Sequence, residues 1–472
     1  MPTALTPRRR ALKLLCPSRP GRRQPIHEAR RNARALLLVA LTAVLALATA
    51  CAEPPPTRPN VIVIVIDSLR ADHVDHLGYD RPTATGLDPL RDRSTLFTRA
   101  LAPTPSTAPS TASLLTGLFP LQHGVVAPDD VIAGHAATLA ELLRDSGWNT
   151  AALSHHPVLT RERGFARGFD RFEGAIGPAT EYADADQMVA WMREWLAEAR
   201  RPFFLYLHAM NVHGPYRVPP LRRQDLLGRL PGTQFAYGDA LMRAIMEDGA
   251  IGLRGIVKAP YLQSMVDQYD TAVRYTTDRV AKILDLLKAD GGFGESIVVL
   301  TADHGEELFD HGGFGHGHTL HREVLHVPLY VKLPGQQTGR TIDSAVSIMD
   351  VFPTILGLLS IPAPDVDGRS LVPVLSGESD AAGTRVFQHL TAWKETSVAR
   401  SLVDGRYKLI DVERGYDAPG GRRLLFDLVV DPGESRDLSD QGSEIVGRLS
   451  AELDATLEDG GVRPLSAGDS AP

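Results

Sequence analysis

The chain has 472 residues, of which 43% are hydrophobic and 23% charged, enough for one large domain or roughly two to three smaller ones. Fifty basic and fifty-seven acidic residues give a net charge of −7, which does not suit a general nucleic-acid-binding surface. The two cysteines, Cys16 and Cys51, exclude a Cys-rich zinc site, and their early positions argue against a structural disulfide.

The first fifty residues have the pattern of an export signal. A segment with ten basic residues and one acid, Glu28, precedes a sixteen-residue apolar run over 35–50, directly before Cys51. Such a run is typical of secretory signals, whereas a membrane-spanning helix needs about 20 apolar residues. Its end resembles a bacterial lipobox, which implies cleavage before Cys51 and a lipid on the sulfur. An uncleaved signal anchor is the alternative.

Removal of residues 1–50 would leave 40 basic and 56 acidic residues, a net charge of −16. We therefore expect a soluble domain exported to the bacterial cell envelope, on the periplasmic side or the cell surface. Its only membrane contact would be the lipid at Cys51, followed by a Pro-rich tether over residues 51–59.

Apolar runs alternate with helical patterns from residue 61 onward. Residues 61–66 are six β-branched residues followed by Asp67, which indicates a strand buried on both faces. The alternation predicts an α/β fold over residues 60–384, a three-layer αβα sandwich around a mainly parallel sheet. Further strands are expected at 150–154, 203–208, 297–301 and 329–333, and helices at 138–146, 185–199 and 263–289.

Short strand candidates separated by turn residues follow from about residue 385. They predict a small antiparallel-sheet-plus-helix subdomain over residues 385–460, followed by a loose tail over 461–472. The strands are expected at 386–390, 397–403, 407–412 and 424–428, and the helix at 443–457.

Residues suited to metal chemistry lie where these strands end, which is where parallel sheets bind ligands. Asp303 and His304 follow one strand together, and a carboxylate beside an imidazole suits a divalent metal. Six histidines fall between His304 and His326, so a purely structural role is the less favoured interpretation. Asp67 follows a buried strand, where it would either bind a metal or cap the next helix.

Two further motifs are weaker indications of function when each is taken alone. Hydroxyl residues over 107–116 lie at an expected helix start, which favours anions, although ordinary capping is the better explanation there. His208 and His213 follow a strand and would ligate a metal, contact a substrate or belong to a structural loop.

The ordered combination of these motifs resembles the sulfatase branch of the alkaline-phosphatase superfamily, from Asn60 to about Leu457. The matching segments include DSLRADH at 67–73, SLLTG at 113–117, HGPY at 213–216 and DHGE at 303–306. The resemblance implies cleavage of a sulfate or phosphate ester at one bound divalent metal ion.

Carried over by position, the resemblance makes Asp67, Asp303 and His304 metal ligands. It places Thr107 at the position of the nucleophile, which also contacts the metal. His213 would contact the ester oxygens or the leaving group. A basic substrate-binding position aligns with either His316 or His318. The repeated Gly-His pairs make both alignments equally good.

The chain departs from typical sulfatases at the nucleophile. Their C-x-P-S-R motif, whose Cys becomes formylglycine, is replaced by TAPST over 107–111, and the second of the usual paired aspartates is Ser68. The usual Lys-x-His falls near His155 and His156. A formylglycine hydrate expels sulfate by collapsing to the aldehyde, which a threonine ester cannot do. A metal-bound threonine alkoxide can attack phosphorus instead.

The sequence therefore predicts a hydrolase of a small-molecule, glycan or lipid ester, with a phosphoester or phosphodiester favoured over a sulfate. The ion would be Ca²⁺, Mn²⁺ or Zn²⁺. An envelope phosphoryl-headgroup transferase is the second hypothesis, and a non-catalytic binding protein of the same fold is the third.

Overall fold

The computed structural model describes residues 58–174, 185–216, 218–219, 259–379, 385–391, 397–415 and 421–459. The predicted signal over 1–50, the anchor at Cys51, most of the tether and the tail over 461–472 lie outside the described residues. Within the described ranges, no helix combines the length and apolar character needed to cross a membrane.

The central sheet is built around β1 (Val61–Ile66), whose six side chains are all buried. β1 pairs in parallel with β5 (Phe203–Ala209) on one side and β6 (Ile297–Thr301) on the other. An unbroken β-branched run suits this position because both faces of the strand are covered.

Among the described residues, eight strands form this sheet, and all but one of them run in the same direction. The exception is β9 (His326–Lys332), which pairs antiparallel with both of its neighbours. The other members are β2 (Thr95–Leu101), β3 (Asn149–Ser154), β4 (Arg171–Glu173) and β10 (Arg340–Ser347). The order is β10-β2-β9-β6-β1-β5-β3-β4, and a separate hairpin pairs β7 (Glu307–Leu308) with β8 (Phe314–Gly315).

The longer helices lie between these strands and at the end of the chain. They are α1 (Thr107–Thr116), α2 (Leu139–Asp145), α3 (Ala185–Leu196), α4 (Ala259–Ala289), α5 (Val351–Leu358) and α6 (Ser443–Asp459). Short helical turns occur at Ala71–His73, Asp75–Leu77, Thr85–Leu87, Asp88–Arg91, Pro120–His123, Arg322–Leu325, Ile348–Asp350 and Val372–Ser376. Thr138 accepts a hydrogen bond from the Glu141 amide and caps α2, as its sequence favours.

An antiparallel sheet forms the described part of the C-terminal subdomain. Its strands are β11 (Arg385–Thr391), β12 (Val398–Asp404), β13 (Tyr407–Arg414) and β14 (Arg422–Asp427), and they pair in this order. Leu449 and Leu453 of α6 are buried with Phe387, Leu402 and Leu409 of the sheet. The helix therefore covers one face of the sheet with an apolar stripe.

A buried polar cluster joins this subdomain to the rest of the chain. The Lys408 Nζ of β13 lies 2.8 Å from Glu434 Oε1, and the Nδ1 of His321 lies 3.1 Å from Glu434 Oε2. The ring of His311 stacks on that of His321, and its Nε2 lies 3.0 Å from the Glu434 carbonyl oxygen. We call His311, His321, Lys408 and Glu434 the Glu434 cluster.

The predicted fold class is confirmed, an αβα sandwich with a mainly parallel sheet and a C-terminal antiparallel sheet with one helix. The described strands that were not predicted are β2, β4 and β10 of the central sheet and the two-residue strands β7 and β8. β4 has only three residues, and the first half of β10 is largely exposed, so neither has the continuous apolar pattern of a central strand.

Candidate active site

Three adjacent strands bring acidic and imidazole side chains to one edge of the sheet. Val65 of β1 is paired with His208 on β5 and with Thr301 on β6. This register places Asp67, His208 and Asp303 side by side at the carboxyl ends of the strands, and all three are fully buried.

Each of the two carboxylates has one oxygen that accepts local hydrogen bonds. The Oδ1 of Asp303 accepts from the amides of Ser68 (3.2 Å) and His304 (2.9 Å), and the Oδ1 of Asp67 accepts from the Ser68 hydroxyl (2.9 Å). Ser68 adopts φ 59°, a left-handed conformation that is uncommon for a residue with a side chain. The turn at Ser68 therefore holds both carboxylates in place.

The second oxygens face a shared space. The Oδ2 of Asp303 is buried and has no hydrogen-bond partner among the described residues. Ligand atoms of Asp67, His208 and Asp303 all lie within 4.8 Å of one another, and the Nε2 of His304 lies 3.4 Å from Asp303 Oδ2. Because a buried carboxylate oxygen without a donor is costly, these residues fit a divalent cation.

Thr107 is the first residue of α1 and is 4% exposed. Its Oγ1 lies 3.0 Å from the Nε2 of His304, whose Nδ1 donates to the Gly305 carbonyl at 2.8 Å. Burial lowers the pKa of His304, so its ring is neutral and Nε2 accepts from the threonine hydroxyl. The structure thus brings the predicted residues Asp67, Thr107, Asp303 and His304 together.

Further histidines extend the site away from the carboxylates. The ring of His316 lies 4.2 Å from that of His304 and 5.0 Å from that of His213, between centroids. The ring of His213 in turn lies 5.8 Å from that of His156. His213 and His316 are only half-buried, so they form the more accessible side of the site.

The side chains that surround the Asp67 carboxylate are mostly imidazoles. Burial alone would raise the pKa of Asp67, but His208, His213 and His156 together hold it well below its ordinary value. Burial would likewise lower the pKa of His316, but the Glu306 carboxylate outweighs burial and raises it. His316 is therefore the imidazole whose surroundings favour the charged form.

His318, the other candidate for the basic position, contacts Glu307. Its Nε2 lies 2.8 Å from Glu307 Oε2, and its Nδ1 lies 3.2 Å from the His316 carbonyl oxygen. Of the two alternatives that the sequence left open, the structure brings His316 and not His318 against His304.

The sequence left the roles of three residues of this site open or unassigned. His208 was a candidate metal ligand, substrate contact or loop residue, His156 was only an aligned position, and Tyr206 had no predicted role. Tyr206 precedes His208 by two residues, so both side chains project from the same face of β5. That alternation is the signal that would have identified the pair.

Comparison with known proteins identifies the family of the chain. A family model described as Sulfatase matches residues 59–361, and one described as N-sulphoglucosamine sulphohydrolase, C-terminal, matches residues 310–459. Arylsulfatase K of Danio rerio is 22% identical over 454 residues, covering 85% of this chain and 84% of the relative. Steryl-sulfatase of Mus musculus is 25% identical over 534 residues, covering 86% and 83%.

Among solved structures, a phosphonate monoester hydrolase of Agrobacterium radiobacter has a TM-score of 0.69 at 22% identity, covering 85% of this chain and 96% of that one. Fold and comparisons together define an ester hydrolase of the alkaline-phosphatase-like superfamily. The chain belongs to the sulfatase family, whose members are generally metal-dependent.

Proposed function

We propose that this protein cleaves phosphate esters, phosphodiesters or phosphonate esters through a covalent intermediate on Thr107. The observation that carries the proposal is the placement of the Thr107 hydroxyl, buried at the start of α1 and 3.0 Å from His304 Nε2. Neither cysteine stands at this position, because Cys16 and Cys51 both precede β1, so formylglycine cannot form there.

The chemistry of threonine supports phosphorus over sulfur. A threonine sulfate has no aldehyde to collapse to, whereas a phospho-threonine can be opened by attack at phosphorus. The printed names of the relatives cover both sulfate and phosphonate esters, so either element is compatible with the fold. Small molecules, glycans and lipids carrying such an ester are all candidate substrates.

Asp67, Asp303, His304 and the Thr107 hydroxyl would hold one divalent ion, Ca²⁺, Mn²⁺ or Zn²⁺. When bound, the ion supplies the positive charge that lowers the pKa of the hydroxyl and polarises an ester oxygen. The hydroxyl proton passes to solvent water, and Thr107 Oγ forms the bond to phosphorus as the bond to the leaving-group oxygen breaks. Water, or an acceptor alcohol in the transferase alternative, forms the next bond to phosphorus and releases Thr107.

The two accessible histidines would serve the leaving group. His316 is favoured in its charged form by Glu306, so it can protonate the departing oxygen. The Nδ1 of His213 donates to the Gly214 carbonyl at 2.7 Å, which fixes the orientation of its ring toward His316. His213 would then contact the ester oxygens.

The test is an activity panel on the purified protein with Mn²⁺, Zn²⁺ or Ca²⁺ added. Substrates are 4-nitrophenyl sulfate, 4-nitrophenyl phosphate, bis(4-nitrophenyl) phosphate and a phenylphosphonate ester. We expect turnover of a phosphorus ester, and a loss of at least about 10³-fold in kcat for Thr107→Ala. Mass spectrometry of the quenched wild-type protein should find phosphate or phosphonate on Thr107.

Ser106→Ala is the matched control, because its hydroxyl lies one residue earlier and does not cap α1. It should retain activity. If the aryl sulfate is the best substrate and Thr107→Ala keeps that rate, the threonine mechanism is wrong. Added glycerol separates the two hypotheses, since a transferase forms the glycerol ester and a hydrolase releases the free acid.

A further inference from the structure

We infer that His208 is a direct ligand of the metal, oriented by Tyr206, and that the resulting donor set selects Zn²⁺ or Mn²⁺ over Ca²⁺. This inference rests on the metal-dependent function proposed above and adds a ligand to the four residues named there.

The position of the His208 ring carries the inference. Its Nε2 lies 3.1 Å from Asp67 Oδ2 and 3.9 Å from Asp303 Oδ2. These are the two oxygens that face the shared space, and that of Asp303 has no hydrogen-bond partner among the described residues. A hydrogen bond from His208 to Asp67 alone would leave Asp303 Oδ2 buried and unsatisfied, whereas a cation among the three groups satisfies both carboxylates.

The far side of the ring is also arranged as in a metal ligand. The Nδ1 of His208 lies 2.8 Å from the Tyr206 hydroxyl, and Tyr206 is 2% exposed. A phenol both donates and accepts, so it can receive the Nδ1 hydrogen when the Nε2 lone pair faces a cation. Metal-ligating histidines almost always have such a partner on the second nitrogen.

The donor set then contains two imidazoles, His208 and His304, and two carboxylates, Asp67 and Asp303, beside the hydroxyl of the nucleophile. Ca²⁺ takes about six to eight oxygen ligands, whereas imidazole suits zinc and other transition metals. Ser68 stands where sulfatases carry a second aspartate, so His208 on the neighbouring strand supplies a nitrogen where an oxygen is missing.

The test measures metal binding by the purified, metal-stripped protein, without reference to activity. Titration calorimetry gives the affinity for Zn²⁺, Mn²⁺ and Ca²⁺, and visible absorption of the Co²⁺ form reports its ligand field. We expect the wild type to bind Zn²⁺ or Mn²⁺ at least about tenfold more tightly than Ca²⁺.

His208→Gln retains a side-chain N–H that can donate to Asp67 but removes the imidazole. We expect it to weaken Zn²⁺ binding by more than about 100-fold and to change the Co²⁺ spectrum. Tyr206→Phe should weaken binding by about 10–100-fold, as expected for a partner of a ligating histidine. His389→Gln is the matched control, a buried histidine on β11 that should bind Zn²⁺ as the wild type does.

The outcomes separate this inference from the proposed function. Wild-type affinity and an unchanged Co²⁺ spectrum in His208→Gln, with binding lost in Asp67→Asn and Asp303→Asn, would overturn the ligand role and leave the metal site intact. Tighter binding of Ca²⁺ than of Zn²⁺ or Mn²⁺ by the wild type would overturn the selectivity. Absence of any metal binding by the wild type would overturn both the inference and the proposed metal dependence.

Discussion

At the scale of single residues, the site histidines differ in what their second ring nitrogen contacts. The Nδ1 of His156 accepts from the Val158 amide at 3.2 Å, so in the neutral ring the hydrogen is on Nε2, which faces Asp67. Burial first, and then neighbouring histidines, lower the pKa of His156 well below its ordinary value. His156 is thus a neutral donor, whereas His316 beside Glu306 is an acid.

This difference predicts the effect of His316→Gln. We expect kcat/KM to fall by about 10²–10⁴-fold for an alkyl phosphodiester, whose poor leaving group needs protonation, and to fall much less for a 4-nitrophenyl ester. Steady-state kinetics on the two substrates measures this. His318→Gln is the control, since His318 contacts Glu307 instead, and an equal loss in both variants would argue against the acid role of His316.

At the scale of elements, the turn after β6 depends on one glycine. The amide of Gly305 donates to the Val324 carbonyl at 2.9 Å, and a Cβ on Gly305 would lie 2.0 Å from the Glu323 carbonyl oxygen. Backbone atoms cannot yield as a flexible side chain can. The close approach fixes Asp303 and His304 against the segment that leads into β9.

We therefore expect Gly305→Ala to lower the free energy of unfolding by about 1–3 kcal/mol or more and to weaken metal binding. Urea unfolding and metal titration test this. Gly294→Ala, just before β6, is the matched control because a Cβ there meets nothing within 4 Å. If the two alanine variants have the same stability, the contact with Glu323 is not a constraint.

Most of the secondary-structure elements that carry the site could be predicted from the sequence. The strands before Asp67 and Asp303 follow from unbroken apolar runs, and Asp303 and His304 follow from their place at a strand end. Asp67 alone fitted a helix cap equally well, and the role of Thr107 came only from the family resemblance. β2, β4 and β10 could not be predicted because edge and mixed strands carry polar residues on exposed positions. The choice between His316 and His318 depended on the glutamate that each ring contacts, Glu306 or Glu307. The spacing of the residues in the sequence does not determine these contacts.

At the scale of the whole molecule, the Glu434 cluster contains an ion pair sealed from water. The side chains of Lys408 and Glu434 are each 2% exposed. Burial alone would raise the pKa of Glu434, but Lys408 and His321 hold it at about 2. Loss of one partner would leave the other charge buried without compensation.

Lys408→Ala should consequently lower the free energy of unfolding by about 3–5 kcal/mol, as thermal or urea unfolding would measure. Arg406→Ala, two residues earlier, removes an exposed partner of Asp427 and should change stability little. A small effect of Lys408→Ala would mean that water reaches Glu434.

The same cluster should make stability depend on pH. Burial alone would lower the pKa of His311, but the Glu323 carboxylate raises it to about 9. Because the folded pKa lies above the ordinary value near 6.5, the contribution is complete below about pH 6.5 and is lost as the pH rises through 9.

Urea unfolding of the wild type and His311→Gln across pH 6 to 10 should therefore give a stability difference that shrinks toward the alkaline end. His135→Gln, at an exposed histidine, serves as the control. A difference that stays constant across this range would contradict the charged state of His311.

The chain between His311 and His321 includes His316, and both of its ends contact Glu434. The proposed acid of the reaction thus lies on a segment whose two ends both contact one residue, Glu434, in the turn after β14. Substitutions around Glu434, far from the ester, should therefore change the position and orientation of the His316 ring without contacting the metal ligands. Sequence variation in β13 or in the turn after β14 would then change which leaving groups the enzyme protonates well, while the nucleophile stays the same.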